Sequence, residues 1–405
     1  MPSPRQAREG ARLVSLQGLR AVAALLVAVG HLYYVDQRFY GGPVLPVTVL
    51  FGFAGVDLFF VLSGFVMVHL TRGGAGAPAV VPAFLLARAA RLYPLWWLCL
   101  GAISLVWLVR PAWVFATITD VPNFPADIAL WPHRHQPLLA VGWTLVHEVY
   151  FYLVFGGLLL LPRRWLPLGL LGWMALVTLG HLLAGPLDQE HNPVLALVTH
   201  PVTLEFGMGA AAGLLAAGGV RPAPRLLIAA GGLLALAAVW LLFALPVDML
   251  LNHWTRVATI GPAGTLITLG LVGLETDRLC VPLRPLGGLG DVSYAFYLVH
   301  IPVFNAIARV AAPFCGPAAW DNLLLWGVSL VIAAIAAAVL HRGFERPVLH
   351  ALTRLRVRWM PRGSALLPSP PPPLAPRPDR LATLARGAHC TTGHDGETST
   401  RRHTG

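Results

Sequence analysis

The sequence predicts an all-α polytopic membrane protein of about ten transmembrane helices, with both termini cytoplasmic. Three observations predict it. Hydrophobic residues make up 56% of the 405 positions and charged residues 12%, about half the charge of a typical soluble domain. Apolar runs of about 20 residues, the length that crosses a bilayer, recur along the chain. Arginines gather in alternate loops, as the positive-inside rule asks of cytoplasmic ones.

This composition excludes an ordinary soluble enzyme, a disordered protein and a coiled coil. The 41 Gly and 35 Pro follow no collagen repeat. The net charge of +11 comes from 29 basic residues, every one an arginine, against 18 acidic ones. Loop arginines account for that excess without nucleic-acid binding. Cys99, Cys280, Cys315 and Cys390 form no C-x-x-C pair, so neither a metal or redox motif nor a disulfide framework is expected.

The expected spans are 13–35, 47–70, 90–109, 142–161, 165–184, 197–217, 225–245, 255–274, 291–311 and 321–341. The first follows Arg5, Arg8 and Arg12 but has no small-residue cleavage site, so it is a retained span and not a signal peptide. With the N-terminus inside, cytoplasmic loops hold Arg72, Arg88, Arg91, Arg163, Arg164, Arg221, Arg225, Arg278 and Arg284. Outer loops carry Arg38, Arg110 and Arg134 with Asp120, Asp127, Asp188, Glu190 and Asp248. Three segments follow: a cytoplasmic N-terminal piece over 1–12, a membrane domain over 13–347, and a tail over 348–405. The tail is basic, then carries the tract PSPPPPLAPRP and a polar remainder, a composition expected to stay disordered. The expected location is the bacterial cell membrane, as a multi-pass protein.

Charged and polar side chains within spans are costly, roughly 2.5–3.5 kcal/mol each on insertion scales, and therefore point to function. In LQGLRAVAALLVAVGH, Arg20 and His31 are eleven residues apart. That separation is about 20° past three full turns, so both share a face about 16 Å apart along the axis. A guanidinium suits a phosphate or carboxylate; a buried neutral imidazole suits a base or acyl acceptor. The plain alternative is a snorkelling arginine and a packed histidine. Asp57 in GVDLFFVLSGFVM either orients a histidine or caps a helix start. Arg88 and Arg91 in RAARLYPLWW share a helix face. They either clamp a polyphosphate such as that of coenzyme A or anchor the span beside Tyr93, Trp96 and Trp97. Glu148 in GWTLVHEVYFYL, with Tyr152 nearby, is placed in an outer half. It either binds a sugar hydroxyl or pairs with an arginine. Ser293, Tyr297 and His300 in GDVSYAFYLVHIPV form one polar stripe that reads as a cavity lining. Glu345 in FERP sits at the inner end of the last span.

Together these segments resemble the acyltransferase-3 family of bacterial integral membrane O-acyltransferases. LQGLRAVAALLVAVGH looks like its Arg-x10-His signature, and GVDLFFVLSGFVM its second-span motif. RAARLYPLWW looks like its R-x-x-R motif. WTLVHEVYFYL, GDVSYAFYLVHIPV and FERP are similar to its later motifs, in family order over about residues 13–347. The fourth segment and PVTLEFGMGA are most like exopolysaccharide acetyltransferases. The resemblance implies transfer of an acyl group, usually acetyl, from cytoplasmic acyl-CoA to a hydroxyl of a carbohydrate or lipid-linked glycan. Some members acylate macrolide antibiotics instead. It also implies that His31 is catalytic with Arg20 as its partner, and that Arg88, Arg91 and Glu345 bind acyl-CoA. Gln17, where many members have Asp, and His147 beside Glu148 depart from the pattern. Acyl-CoA is expected as a co-substrate, with no tightly bound cofactor and no metal. The expected partners are acyl-CoA, the glycan acceptor and the lipid bilayer. A transporter or flippase, the rival class, predicts inverted repeats, and no repeat relates the two halves.

Overall fold

The structure is a computed structural model. It describes residues 13–39, 47–71, 75–114, 121–184, 191–219, 223–244, 252–277, 279, 281, 283–314 and 319–359. The segment 1–12, the proline tract, Cys280, Cys315, Cys390 and several loop charges (Arg72, Arg221, Arg278, Asp120, Asp188, Glu190, Asp248) lie outside the described residues.

The described residues hold helices and no strand. The principal helices are α1 (Val14–Phe39), α2 (Ala54–Leu70), α3 (Val80–Val109), α4 (Phe124–Ala129), α5 (Gly142–Leu158), α6 (Leu166–Ala184) and α7 (Pro193–Val198). They continue with α8 (Thr203–Ala217), α9 (Pro224–Ala244), α10 (His253–Thr276), α11 (Gly287–Asp291), α12 (Ser293–Ala311), α13 (Ala319–Leu340) and α14 (Arg346–Trp359). Nine helical stretches among the described residues are long and apolar enough to cross a membrane. The protein is an all-α polytopic membrane protein.

Three differences from the expected spans have physical causes. The span expected over 142–161 is the 17-residue α5, too short for the nine. The third span begins at Val80, not at residue 90, because Arg88 and Arg91 are held inside the helix by partners and do not mark a loop. The span over 197–217 is broken into α7 and α8 around Pro201, whose ring and missing N–H interrupt a helix. Residue 347 lies within a continuous helical stretch. One π turn, His341–Glu345, joins α13 directly to α14.

Helix α1 is pinned at both ends. The Glu275 carboxylate at the end of α10 accepts the N–H groups of Val14 (2.7 Å) and Ser15 (2.8 Å). It thus satisfies two donors that every helix start leaves open, where the helix dipole favours a negative charge. Near the other end, Asn322 Nδ2 of α13 donates to Asp36 at 3.0 Å.

Lipid tails are as apolar as leucine, so helices in a bilayer associate through close packing and polar contacts. Helices α2 and α8 show this most clearly. A Cβ on Gly64 would overlap the carbonyl oxygen of Phe206, and one on Gly209 that of Val61. The two backbones touch because neither position has a side chain. Gly232, by contrast, faces open space. Gly209→Leu should therefore cost more than the ~1–3 kcal/mol typical of overpacking and abolish monodisperse protein in size-exclusion chromatography. Gly232→Leu, equally apolar, should elute as wild type.

Candidate active site

His31 lies on α1, half-buried, about two-thirds of the way along it. It lines a cleft of about 410 Å³ with Tyr34, Phe53, Val56, Gln136, Ala140, Val141, Trp143, Arg256 and Tyr297. The walls come from the end of α1, the starts of α2, α5 and α10, and α12. The volume falls in the range of small-ligand sites. The lining is aromatic with a few polar groups.

The two nitrogens of His31 are in different situations. Nδ1 lies 2.8 Å from the carbonyl oxygen of Val27 and 3.3 Å from Nε2 of His300. The edge of the ring meets Phe53, with centroids 4.9 Å apart. Among the described residues, Nε2 has no such partner. Tyr297 is fixed by a short chain: its hydroxyl donates to Thr144 Oγ1 at 2.7 Å, and Thr144 donates to the Val141 carbonyl at 2.9 Å.

One wall of the cleft belongs to the segment between α3 and α5. The carbonyls at the end of its short helix α4 lack their full set of helical donors. Three aromatic donors of α3 satisfy them: Trp96 to Asp127 O (2.8 Å), Trp97 to Ile128 O (2.9 Å) and Tyr93 to Ala129 O (2.9 Å). The Asp127 side chain takes His133 Nε2 at 3.0 Å and the Leu138 N–H at 3.2 Å. This clasp sets the course of the chain that presents Gln136, Ala140 and Val141 to the cleft.

Opposite His31 stands an ion pair. Arg256 reaches Asp57 with Nη2 at 2.7 Å and Nε at 3.1 and 3.2 Å, and also donates to the Phe53 carbonyl at 3.3 Å. Asp57 is fully buried and Arg256 nearly so. Glu205, fully buried in the first turn of α8, acts on both groups electrostatically. The Asp57 carboxylate is thus given to an arginine of α10 and not to a histidine.

A second constellation lies towards the other end of the bundle. Arg91 Nη1 donates to Glu345 Oε1 at 2.7 Å, and His341 Nδ1 sits 2.8 Å from Glu345 Oε2. The Arg91 guanidinium lies over the Tyr294 ring at 5.8 Å. Glu148 accepts from Tyr152 at 2.5 Å and Ser63 at 3.2 Å. Half-buried Arg20 acts electrostatically on Arg91, Glu148, Tyr152 and Glu345, and Arg88 on Tyr152. Arg20, Arg88, Arg91, Glu148, Tyr152 and Glu345 therefore form one neighbourhood. His31, Tyr297 and His300 form another. Glu148 and Tyr152 line the first, not the cleft. Ser293, the buried first residue of α12, donates to Gly290 O at 2.7 Å and joins neither. Among the described residues, no group of three or more His, Cys, Asp or Glu is arranged to hold a metal ion.

Comparison with known proteins then places this arrangement. Residues 13–342 match the family model described as an acyltransferase domain, Acyl_transf_3. The chain belongs to the acyltransferase-3 family. It is similar to the exopolysaccharide production protein ExoZ of Rhizobium meliloti (strain 1021), 33% identical over 322 residues, with 74% of this chain and 93% of that protein covered. It is also similar to the acyltransferase MdmB of Streptomyces mycarofaciens, 29% identical over 379 residues, covering 85% and 94%. Nodulation protein 10 of Rhizobium leguminosarum bv. viciae is 25% identical over 366 residues, covering 84% and 94%. No solved structure matches the chain significantly. The protein is thus a multi-pass membrane O-acyltransferase, and Arg20 and His31 of its first helix belong to the two neighbourhoods above.

Sequence reasoning missed Arg256 and Glu205. Both sit inside expected apolar spans, so the criterion that singled out Asp57 applies to them equally. Gln136, Tyr34 and Phe53 reach the cleft from loops and helix ends, where no periodicity marks them.

A buried ion pair is most costly when half of it is removed, about 3–5 kcal/mol. Asp57→Ala should lower the melting temperature sharply in detergent by stranding Arg256. The double variant Asp57→Ala, Arg256→Met should regain most of that stability, measured by the same melt.

Proposed function

We propose that this acyltransferase moves an acyl group, acetyl in the simplest case, from cytoplasmic acyl-CoA to a hydroxyl of a carbohydrate or glycan. The observation that carries this reading is the position of His31. One helix bears a half-buried arginine among Arg88 and Arg91 and, further along, a histidine with one free nitrogen facing a sugar-sized cleft.

The electrostatics support a donor on the arginine side. Arg20, Arg88 and Arg91 outnumber the carboxylates Glu148 and Glu345 there, which suits the phosphates of coenzyme A. Arg20 and His31 are separated by about 16 Å along the helix, of the order of an extended pantetheine arm. The nucleotide can stay at the inner face while the thioester reaches His31. The cleft suits the acceptor: Tyr34, Phe53 and Trp143 offer ring faces to a sugar, and Gln136 offers an amide for its hydroxyls. The name of ExoZ, an exopolysaccharide production protein, fits a glycan acceptor. With the 17-residue α5 crossing as a tenth helix, the positive-inside pattern supports cytoplasmic termini in a bacterial cell membrane, with the cleft opening outward. The membrane domain over 13–347 then carries the reaction, and the tail takes no part in it.

In this mechanism His31 Nε2 takes the proton of the acceptor hydroxyl as its oxygen attacks the thioester carbonyl. The new C–O bond forms, the C–S bond breaks, and the coenzyme A thiolate takes up the proton. An acyl-imidazole relay uses the same nitrogen and differs in kinetics, showing a ping-pong pattern. The low-polarity surroundings strengthen the charge contacts and keep hydrolytic water away.

His31→Ala should insert and fold normally yet lose acylation by at least 100-fold, the lower end of what a positioned base contributes. The check is mass spectrometry of cell-surface glycans and secreted metabolites from cells with the wild-type gene, the variant or neither. Full acylation by the variant refutes the role of His31; a modified metabolite with unchanged glycans refutes the carbohydrate acceptor. In vesicles of defined orientation, acyl-CoA should support turnover only from the side bearing the C-terminal tail. Equal turnover from the other side overturns the donor path.

A further inference from the structure

We propose that His300 is the positioning residue of the reaction: its neutral imidazole holds His31 in the tautomer that acts as base, and it accepts the strengthened hydrogen bond when His31 becomes charged. This rests on the acyl-transfer role of His31 given above, and it assigns to a second buried histidine a task that a carboxylate commonly performs.

The argument is a count of protons. His300 Nδ1 lies 3.2 Å from the carbonyl oxygen of Phe296. A carbonyl only accepts, so Nδ1 carries the proton and Nε2 of the neutral ring carries a lone pair. That lone pair lies 3.3 Å from His31 Nδ1. His31 Nδ1 is itself 2.8 Å from the Val27 carbonyl, so it too carries a proton. One N–H is therefore shared between the Val27 oxygen and the His300 lone pair. No two lone pairs or two protons face each other, and Nε2 of His31 is left bare. This assignment satisfies all three contacts with each ring neutral.

The two acceptors are not equivalent. The Val27 oxygen is four residues before His31 and already takes the helical N–H of His31. The His300 lone pair has no other donor. When Nε2 gains the substrate proton, the Nδ1–H bond strengthens, and His300 is the acceptor with capacity to meet it. His300 is fully buried. Its ring is stacked on Phe296 (centroids 6.0 Å apart, 15° between planes) and meets the edge of Phe304 at 5.7 Å. It cannot turn away.

The surrounding charges leave this task to His300. Its own helix offers Tyr297, whose hydroxyl is committed to Thr144. The Asp57 carboxylate of α2 is bound by Arg256 of α10, and on α1 Asp36 is bonded to Asn322 of α13. His31 acts electrostatically on His300.

Two measurements test the assignment in purified full-length protein. Solid-state ¹⁵N spectra should show His31 at neutral pH as a single tautomer protonated on Nδ1; protonation on Nε2 overturns the proposal whether or not any variant is active. Kinetics of His300→Ala should show kcat reduced about 100-fold with the KM for acyl-CoA within about twofold. His300→Gln, whose amide oxygen can accept the same N–H, should recover at least a tenth of wild-type kcat. A folded His300→Ala with kcat within threefold of wild type, or with its loss wholly in KM, overturns the proposal. If His300→Ala does not fold, the spectrum and His300→Gln decide: a Gln variant that folds but stays 100-fold down counts against it. Failure of the underlying reaction is seen separately, as undiminished acylation by His31→Ala.

Discussion

The Asp57–Arg256 ion pair is the contact on which the cleft end of the bundle depends. A guanidinium and a carboxylate in an apolar interior each lose several kcal/mol of hydration, and only close, multiple hydrogen bonds offset that loss. The three short contacts between them do so. Because the partners are on α2 and α10, the start of one helix cannot shift without the other. Because Arg256 also takes the Phe53 carbonyl, the turn entering α2 is fixed as well. Phe53 packs on His31, so the restraint reaches the imidazole of the cleft. The pair, whose Arg256 also lines the cleft, thereby sets where the imidazole lies.

Helix α1 connects this end to the arginine neighbourhood, and its anchoring explains how two distant groups keep a fixed separation. Glu275 fixes its first turn and Asn322 its last third. An α-helix held at both ends behaves as a strut, with a rise of about 1.5 Å per residue. The distance between Arg20 and His31 is then a property of the backbone and not of loop conformation. The proposed reaction, with a donor from one side and an acceptor from the other, requires such a fixed separation.

Much of this was legible from composition and spacing, and the parts that were not have a common cause. Apolar length identified α1, α9 and α13, since a bilayer span needs only length and hydrophobicity. It misjudged the start of α3 because Arg88 and Arg91 look like a loop when their surroundings are unknown, and Arg91 has its partner, Glu345, 254 positions away. It missed α5 as a short helix because Leu159–Leu161 continue the apolar run past its end. The cost of intramembrane charge selected Arg20, His31, Asp57 and Glu148. The separation of these into two neighbourhoods depends on pairings such as Ser63–Glu148 and Asp57–Arg256, which join residues 85 and 199 positions apart. No local pattern encodes such distances. His300 was visible as part of a polar stripe, but its contact with His31 follows only from how α12 packs on α1.

The distribution of charge through the molecule has a physical logic that bears on the choice of a histidine pair. Charged groups occupy the two ends: Arg20, Arg88, Arg91, Glu148 and Glu345 at one, Asp57, Arg256 and Glu205 at the other. Beside the second set lie the groups of the proposed mechanism, imidazoles and hydroxyls, which are neutral at rest. An ionised carboxylate beside His31 would need its own buried counterion throughout the catalytic cycle, with the desolvation cost that entails. A neutral acceptor needs none, and charge appears on the imidazoles only while the proton is on His31. The cost of that transient cation is then part of the reaction barrier and not of folding. The shared Nδ1–H, met by a carbonyl and a lone pair, is the device that lowers it.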